Sequence, residues 1–267
     1  MAGSIESVVR QCPRRIADVS AEPTLLAIDT ATETCSVALL HAGVLSERIE
    51  RVGQGHSERV LPMVQALLEE TGIELARCDA IAFGAGPGSF TGLRIACGVA
   101  QGLAWGIDRR VLPVGNLAGL ALAVHDAAPA VARIAAAMDA RMNEVYWAVY
   151  DVVAVGKGQL RERVAPALSP VAAMADELAP HAVEAAGGTA LAMAGWPAAA
   201  SAIRLPQASA SARHLVRLAV HDWHAGRALA PAHAAPLYVR DRVALTIEER
   251  RRHAAGQAAA FSAGAAS

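Results

Sequence analysis

The chain has 267 residues, of which 54% are apolar, 18% charged and 4% aromatic. That composition excludes global disorder and supplies a sizeable core, built from Ala, Leu and Val, for one large domain or two modest ones. With 24 basic and 25 acidic residues the formal net charge is −1, which excludes the broad basic surface of an autonomous nucleic-acid-binding domain but leaves room for a local arginine patch.

Residues 1–23, punctuated by Pro13 and Pro23, are expected to form an N-terminal extension. They carry Arg10, Arg14 and Arg15 but no apolar stretch, so they do not make a secretory signal. Apolar runs at 24–28, ending at Asp29, at 35–40 and at 44–50, the last two joined by Ala42-Gly43, predict a strand, a loop and a β-hairpin. After Gly53-Gln54-Gly55, Ser57 is expected to cap a helix over 57–71. On it Val60, Leu61, Val64, Leu67 and Leu68 recur at helical spacing, and Gly72 stands where a terminating glycine belongs. A short strand at 80–83 leads into a glycine-rich run, 84–92, then a helix to about Trp105 closed by Gly106. A strand at 111–114 follows, then a helix to about His125 with Asn116 as its expected cap.

The pattern then restarts at an ungapped offset of 110 residues, matching Ala27 with Ala137, Asp29 with Asp139 and Ala38 with Ala148. Each copy sits at a strand–loop–strand, which predicts a duplicated, β-rich α/β unit. Farther on, Ser169-Pro170 predicts a helix start, 189–194 a strand, Ser209 or Ser211 the cap of a helix to about Ala225, and 236–240 an extended segment. The expected division is a first domain at 24–115, a second at 116–245 that includes the C-terminal segment, and an Arg-rich then Ala/Gly/Ser-rich flexible tail at 246–267.

The sharpest motif is Gly84-x-Gly86-Pro87-Gly88-Ser89-Phe90-Thr91-Gly92-Leu93-Arg94, set between a strand and a helix. One reading is an anion-binding nest of backbone N–H groups helped by the helix dipole. The other is a tight turn that lets a helix pack closely. The run fits neither the dinucleotide fingerprint nor the P-loop, since Ser89 follows Gly88 and there is no lysine. Gly98, Gly102 and Gly106, spaced by four, imply that something approaches this helix closely, either the chain's own sheet or another subunit, because interior helix glycines cost about 1 kcal/mol each against alanine. Asp29, with Thr30 after it, and Asp139 end equivalent strands. They are either metal–phosphate carboxylates of an ATP-binding or kinase-like enzyme, or structural groups holding loops. The nine histidines show no H-E-x-x-H and no H-x-x-x-H spacing, and no G-x-S-x-G elbow occurs. Cys12, Cys35, Cys78 and Cys97 lie apart without a C-x-x-C, so no zinc site or disulfide framework is expected and a reducing cytoplasm fits. No apolar run reaches the length of a membrane span.

Four segments together resemble the bacterial TsaB family, also called YeaZ. They are Leu26-Ala-Ile-Asp-Thr-Ala-Thr-Glu-Thr-Cys-Ser-Val-Ala-Leu39, His56-Ser-Glu-Arg-Val-Leu-Pro-Met63, Gly86-Pro-Gly-Ser-Phe-Thr-Gly-Leu-Arg94 and Asp139-Ala-Arg-Met-Asn-Glu-Val-Tyr146. Pro236-Leu-Tyr-Val-Arg240 matches that family's C-terminal pattern. The resemblance spans about 24–245 and is loose over 151–235. It implies an α/β, duplicated actin-like fold of the Hsp70/sugar-kinase, ribonuclease H-like type. It implies work in forming threonylcarbamoyladenosine at tRNA position 37, as a non-catalytic, cytoplasmic partner of a TsaD-type transferase. It further implies that a TsaE-type ATPase joins the assembly, that tRNA is met indirectly, that the isolated chain forms a homodimer and that no membrane is involved. ATP and metal are expected only through the partners, and no catalytic residue is assigned.

The resemblance puts the partner contact on two helices, with Ser57, Val60, Leu61, Val64, Leu68, Thr91, Arg94, Ile95, Gly98, Gly102 and Trp105 as its expected residues. The structural or anion-loop set is Asp29, Thr30, Gly86, Pro87, Gly88, Ser89, Gly92, Asp139, Arg141 and Glu144. Two departures stand out. The catalytic relative's His-x-x-x-His pair is missing, because Val60 stands four residues after His56. The Gly-x-Gly-Trp of many members is Met193-Ala194-Gly195-Trp196.

Overall fold

The computed structural model describes residues 8–12, 22–154 and 159–240. Most of the expected N-terminal extension, the expected tail 246–267, and Arg242 with Arg250–Arg252 lie outside the described residues.

A six-stranded sheet comes first. It contains Val8–Cys12 (β1), Leu25–Asp29 (β2), Thr34–His41 (β3), Val44–Arg51 (β4), Ala80–Gly86 (β5) and Arg110–Gly115 (β6), in the order β1-β4-β3-β2-β5-β6. β2 lies between antiparallel β3 and parallel β5 and is buried throughout, so its sequence is a continuous apolar run rather than an alternation. β1 is a strand the sequence reading did not contain. Part of the expected extension pairs antiparallel with β4, covering an edge whose N–H and C=O groups would otherwise be open.

The second sheet is made of Arg133–Asp139 (β7), Glu144–Ala154 (β8), Gln159–Pro170 (β9), Ala185–Gly187 (β10) and Ile203–Leu205 (β11), in the order β11-β10-β7-β8-β9. Apart from β1 the two sheets have the same connectivity: an antiparallel meander of three strands, then two strands added in parallel on the other side of the first. The duplication expected from the offset of 110 residues is therefore a property of the fold.

Its register differs by one residue between copies. Ala27 faces Ala38, whereas Ala137 faces Trp147. In the second copy Arg141, Met142 and Asn143 all take positive φ and close a tight turn, with the Ala140 N–H donating to the Glu144 carbonyl. In the first copy the loop is held open by other partners. The Val52 and Gly53 N–H groups donate to the Glu33 carbonyl, and the Ser89 N–H donates to Ala31.

Helices cover both faces of both sheets. His56–Thr71 (α1) and Phe90–Gly106 (α2) pack on the outer face of the first sheet, around Leu26, Ile28, Val37, Ile81 and Phe83. Met174–Leu178 (α4), flanked by 3₁₀ turns, covers the outer face of the second, around Trp147 and Trp196. The middle layer holds Asn116–Ala127 (α3) and Ala212–His224 (α5). These two are exchanged. α3 follows the first sheet but packs Leu117, Leu120 and Val124 on the second, and α5 follows the second sheet but packs Leu215, Val216 and Ala219 on the first. They approach closely at Gly119, where a Cβ would lie 2.9 Å from the Leu215 side chain.

Several local expectations are corrected. Gly55, in the left-handed region at φ 90°, begins α1, and Ser57 lies inside the helix as an exposed residue rather than as its cap. Asn116 begins α3 without capping it, because its side chain is used elsewhere. Ser169-Pro170 ends β9 and, with Pro170 as the cap rather than the first helical residue, leads into the 3₁₀ turn Val171–Ala173 that runs on into α4. The expected strand at 189–194 is a 3₁₀ turn, Thr189–Ala192, and the strand is β10 just before it. Ser211 does cap α5, in a reciprocal box with His214.

Candidate functional site

Two regions carry the candidate residues. The first is the glycine run between β5 and α2. Its concave side is filled by the chain's own β2–β3 loop. The Ser89 N–H donates to the Ala31 carbonyl at 2.8 Å, and the Thr30 hydroxyl donates to the Gly92 carbonyl at 2.7 Å. A Cβ on Gly92 would collide with the Thr30 carbonyl, and one on Gly88 would lie 2.7 Å from Ala31. The glycines thus admit a neighbouring loop, at the position where an anion nest would admit phosphate. Ser89 also caps α2, its hydroxyl accepting the Gly92 N–H.

Asp29 sits beneath this run, fully buried. Its Oδ1 accepts the Ala31 N–H at 3.1 Å and the Asn116 Nδ2–H at 2.9 Å, and the Asn116 Oδ1 accepts the Gly86 N–H at 2.8 Å. Burial pushes the Asp29 carboxyl up to about 6, against the pull of those two donors. Asp139 has a different setting. It is part-exposed, its Oδ1 accepts the Arg141 N–H at 2.7 Å, and the Arg141 guanidinium lies 3.6 Å away. The two equivalent aspartates therefore hold loops, one buried and one at the surface. His56, at the start of α1, is buried with its Nε2 2.9 Å from the Thr32 carbonyl. Among the described residues no group of three or more His, Cys, Asp or Glu is gathered as for a metal ion.

A strap of residues 229–240 crosses the same region. Leu229 bridges to Val111 at the edge of β6, and Gln101 of α2 donates to the carbonyls of Pro231 and Ala234. The Leu237 N–H then donates to the Ala85 carbonyl at 2.6 Å, and Arg240 reaches the second half, donating to the Ala140 carbonyl at 2.9 Å and to Glu144 at 2.6 Å. Gly86 is needed here too, since a Cβ would lie 2.6 Å from the Leu237 carbonyl oxygen. The sequence marks 236–240 as an extended segment matching the family's C-terminal pattern, and Glu144 as part of the loop set and of a family segment, but not that the two meet. Their partners lie about a hundred residues apart, and no local pattern marks that pairing.

The second region is the outer face of α1 and α2. Gly98, Gly102 and Gly106 are exposed, and a Cβ on any of them would meet nothing within 4 Å. Trp105 is 70% exposed beside them, and Leu61 49% exposed on α1. A largely apolar groove runs along α1 and the segment 72–75 after it, lined by Leu61, Val64, Leu68, Ile73 and Leu75 with Glu69 and Glu74, and meets α2 at Leu103. Ser57, Thr91 and Arg94 are exposed, and Ile95 and Leu68 are half-buried. Val60 is corrected: at 0% exposure it belongs to the core. Val64, 3% exposed, is also largely core but borders the groove.

The family model described as TsaD: tRNA N6-adenosine threonylcarbamoyltransferase matches residues 43–247. The chain belongs to this family, on its TsaB (YeaZ) branch. The tRNA threonylcarbamoyladenosine biosynthesis protein TsaB of Haemophilus influenzae is 50% identical over 124 residues, 46% of this chain and 52% of that one. Its Escherichia coli counterpart is 48% identical over 126 residues, 47% and 54% of the two chains. The chain thus spans about half the length of these curated relatives in the matched region. The solved structure of YeaZ from Pseudomonas aeruginosa is 40% identical with a TM-score of 0.74, covering 81% of this chain and 99% of that one. The TsaB match accounts for the duplicated actin-like architecture. Within this TsaB-family chain the glycine loop is filled by the β2–β3 loop and crossed by the strap, which reaches the second half through Arg240, and the α1–α2 face carries exposed glycines with nothing near them. No helix among the described residues is long and apolar enough to cross a membrane.

Proposed function

We propose that this chain, with 24–115 and 116–245 as its two domains, is a non-catalytic adaptor subunit in the formation of tRNA N6-threonylcarbamoyladenosine. It binds and supports a TsaD-type transferase through the outer face of α1 and α2. The observation that carries this reading is the stripe of Gly98, Gly102 and Gly106, whose faces open onto unobstructed space beside exposed Leu61 and Trp105. Such glycines lower helix stability, and a partner helix that needs close backbone approach gives them a use. The filling of the glycine loop by Ala31 and Thr30 supports the absence of a nucleotide role for this chain. ATP and metal then enter with the transferase and with a TsaE-type ATPase. The same self-complementary face supports a homodimer when the chain is alone, in competition with the transferase. The whole assembly works in the cytoplasm.

Reconstitution tests this. Transferase, ATPase, threonylcarbamoyl-adenylate synthase, tRNA and substrates are mixed with and without the chain, and modified adenosine is assayed. Modification that requires the chain, with no turnover by the chain alone, is the expected result. Modification indifferent to its presence overturns the adaptor reading. Calorimetry of the isolated chain with ATP and Mg²⁺ is expected to show no binding, and a titratable signal would move an ATP-dependent activity of the same fold to the front.

A further inference from the structure

The first turns of α2 carry a side-chain cluster one turn N-terminal to the glycine stripe, on the same exposed side of the helix. The Arg94 guanidinium sits over the Phe90 ring, 3.9 Å from its centroid, and the Arg94 Nε–H donates to the Tyr238 hydroxyl at 3.1 Å. The Phe90 and Tyr238 rings are tilted by 35° with centroids 5.5 Å apart. Helix and strap, 144 residues apart in sequence, thus lock three side chains against one another. Yet Phe90 is 43% exposed and Tyr238 44%, so the cluster is ordered without being part of a core. Beside it the β7–β8 turn, gripped by Arg240, presents Arg141 and Met142, the latter 71% exposed.

The charge around the cluster is one-sided. α2 contains no Asp or Glu anywhere along its length. The two acidic groups of the neighbouring turn are engaged, Glu144 by Arg240 and Asp139 by Arg141. The positive end of the α2 dipole lies at the same place.

We propose that Phe90, Arg94 and Tyr238 form an RNA-contact surface through which the chain itself touches the tRNA, the exposed parts of the two rings, left uncovered by Arg94 and by each other, meeting unpaired bases and Arg94 meeting a phosphate. This rests on the adaptor reading and goes beyond the indirect tRNA contact expected with it. The chemistry favours RNA over a protein partner. An aromatic anchor for a protein inserts into an apolar pocket with any arginine at the rim. Here the guanidinium is central, in contact with both aromatic side chains, and the rings lie against each other at the surface. Exposed aromatic faces interleaved with arginine are the means by which unpaired bases are held without sequence preference. A cluster of this size also fits a near-neutral chain, because it needs no broad basic field.

The test is fluorescence anisotropy of a labelled, unmodified tRNA transcript titrated with the chain–transferase complex, alongside the chain alone. The variant Phe90→Ala with Tyr238→Ala is expected to weaken binding about tenfold, in line with stacking losses per base, and pairing with the transferase on a sizing column, read in parallel, separates loss of RNA contact from loss of the adjoining partner face. Arg94→Gln is expected to lower the slope of log K against log salt by about one. Arg110→Ala, at the far end of β6, serves as a control expected to change neither. Unchanged RNA affinity in both cluster variants, or lost transferase pairing in the aromatic variant, overturns the proposal. Failure of the wild-type chain to pair with the transferase would count against the adaptor reading instead, and RNA binding by the chain alone, lost in the variants, would still support the surface.

Discussion

Burial lifts the Asp29 carboxyl from 3.8 to about 6, and the sign of the consequence follows from linkage. Below the unfolded value both states hold the proton and the contribution to stability is fully present. Between about 4 and 6 the unfolded chain gives up the proton while the folded chain keeps it in its core, so stability falls by up to about 3 kcal/mol and levels off above 6. Asp29→Asn keeps an oxygen for the Ala31 and Asn116 donors and never carries charge. It is expected to stabilise the chain increasingly between about pH 4 and pH 6, and by a constant amount above that, in urea titrations against the wild type. The His214 imidazole, which burial pushes down, favours the opposite pH trend, but it is common to both proteins and cancels in the comparison. Parallel stability curves would show that Asp29 ionises as it does in water. Asp29 was legible in the sequence as a carboxyl ending a strand, with holding a loop as one of its two readings. Asn116 was legible only as a helix start, because a cap and a bridge to a carboxyl 87 residues away present the same local pattern.

At the scale of elements, α2 joins two demands in one helix. Its inward face, Leu93, Ala96, Cys97, Ala100 and Ala104, is core, and its outward face is glycine. Gly98→Ala and Gly102→Ala introduce a Cβ into open space, so each is expected to raise stability by about 0.5–1 kcal/mol, read as a higher thermal midpoint. Gly102→Leu is expected to leave the chain folded, with unchanged circular dichroism, and to abolish pairing with the transferase on a sizing column. Wild-type elution of the mixed complex would remove Gly102 from the interface. The helix, its glycine spacing and its direction were all readable, since periodicity and capping are local signals. Elements set by distant partners were not. β1 exists through pairing with β4. The 189–192 turn carries the apolar composition of a strand, but the neighbouring 185–187 segment takes the place beside β7.

The whole molecule is held together by crossings between its halves. Ungapped self-similarity exposed the duplication, because each copy keeps its strand–loop–strand length. The exchange of α3 and α5 left no trace in the sequence, since an apolar helix face looks the same whichever sheet it covers. The strap adds a second crossing, and Arg240 is its terminal grip. Its guanidinium donates to the Ala140 carbonyl and to Glu144, with the Arg240 side chain 16% exposed. Charge-assisted bonds with this much shielding are worth about 1.5–3 kcal/mol before the loss is softened by water. Arg240→Ala is therefore expected to cost about 1–2 kcal/mol in denaturant titration. Its more specific signature is spatial. Without the grip, Leu237 is tethered from one side only, so hydrogen exchange should quicken both at Leu237, whose N–H bonds Ala85, and at the Ala140–Glu144 turn. The amides of α1, which the strap does not touch through any of these bonds, should keep their protection. Faster exchange confined to the turn would mean that Arg240 steadies only its own neighbours. Faster exchange at both ends would make the strap the mechanical link between the second half and α2, and so between the junction of the halves and the face proposed to meet the transferase.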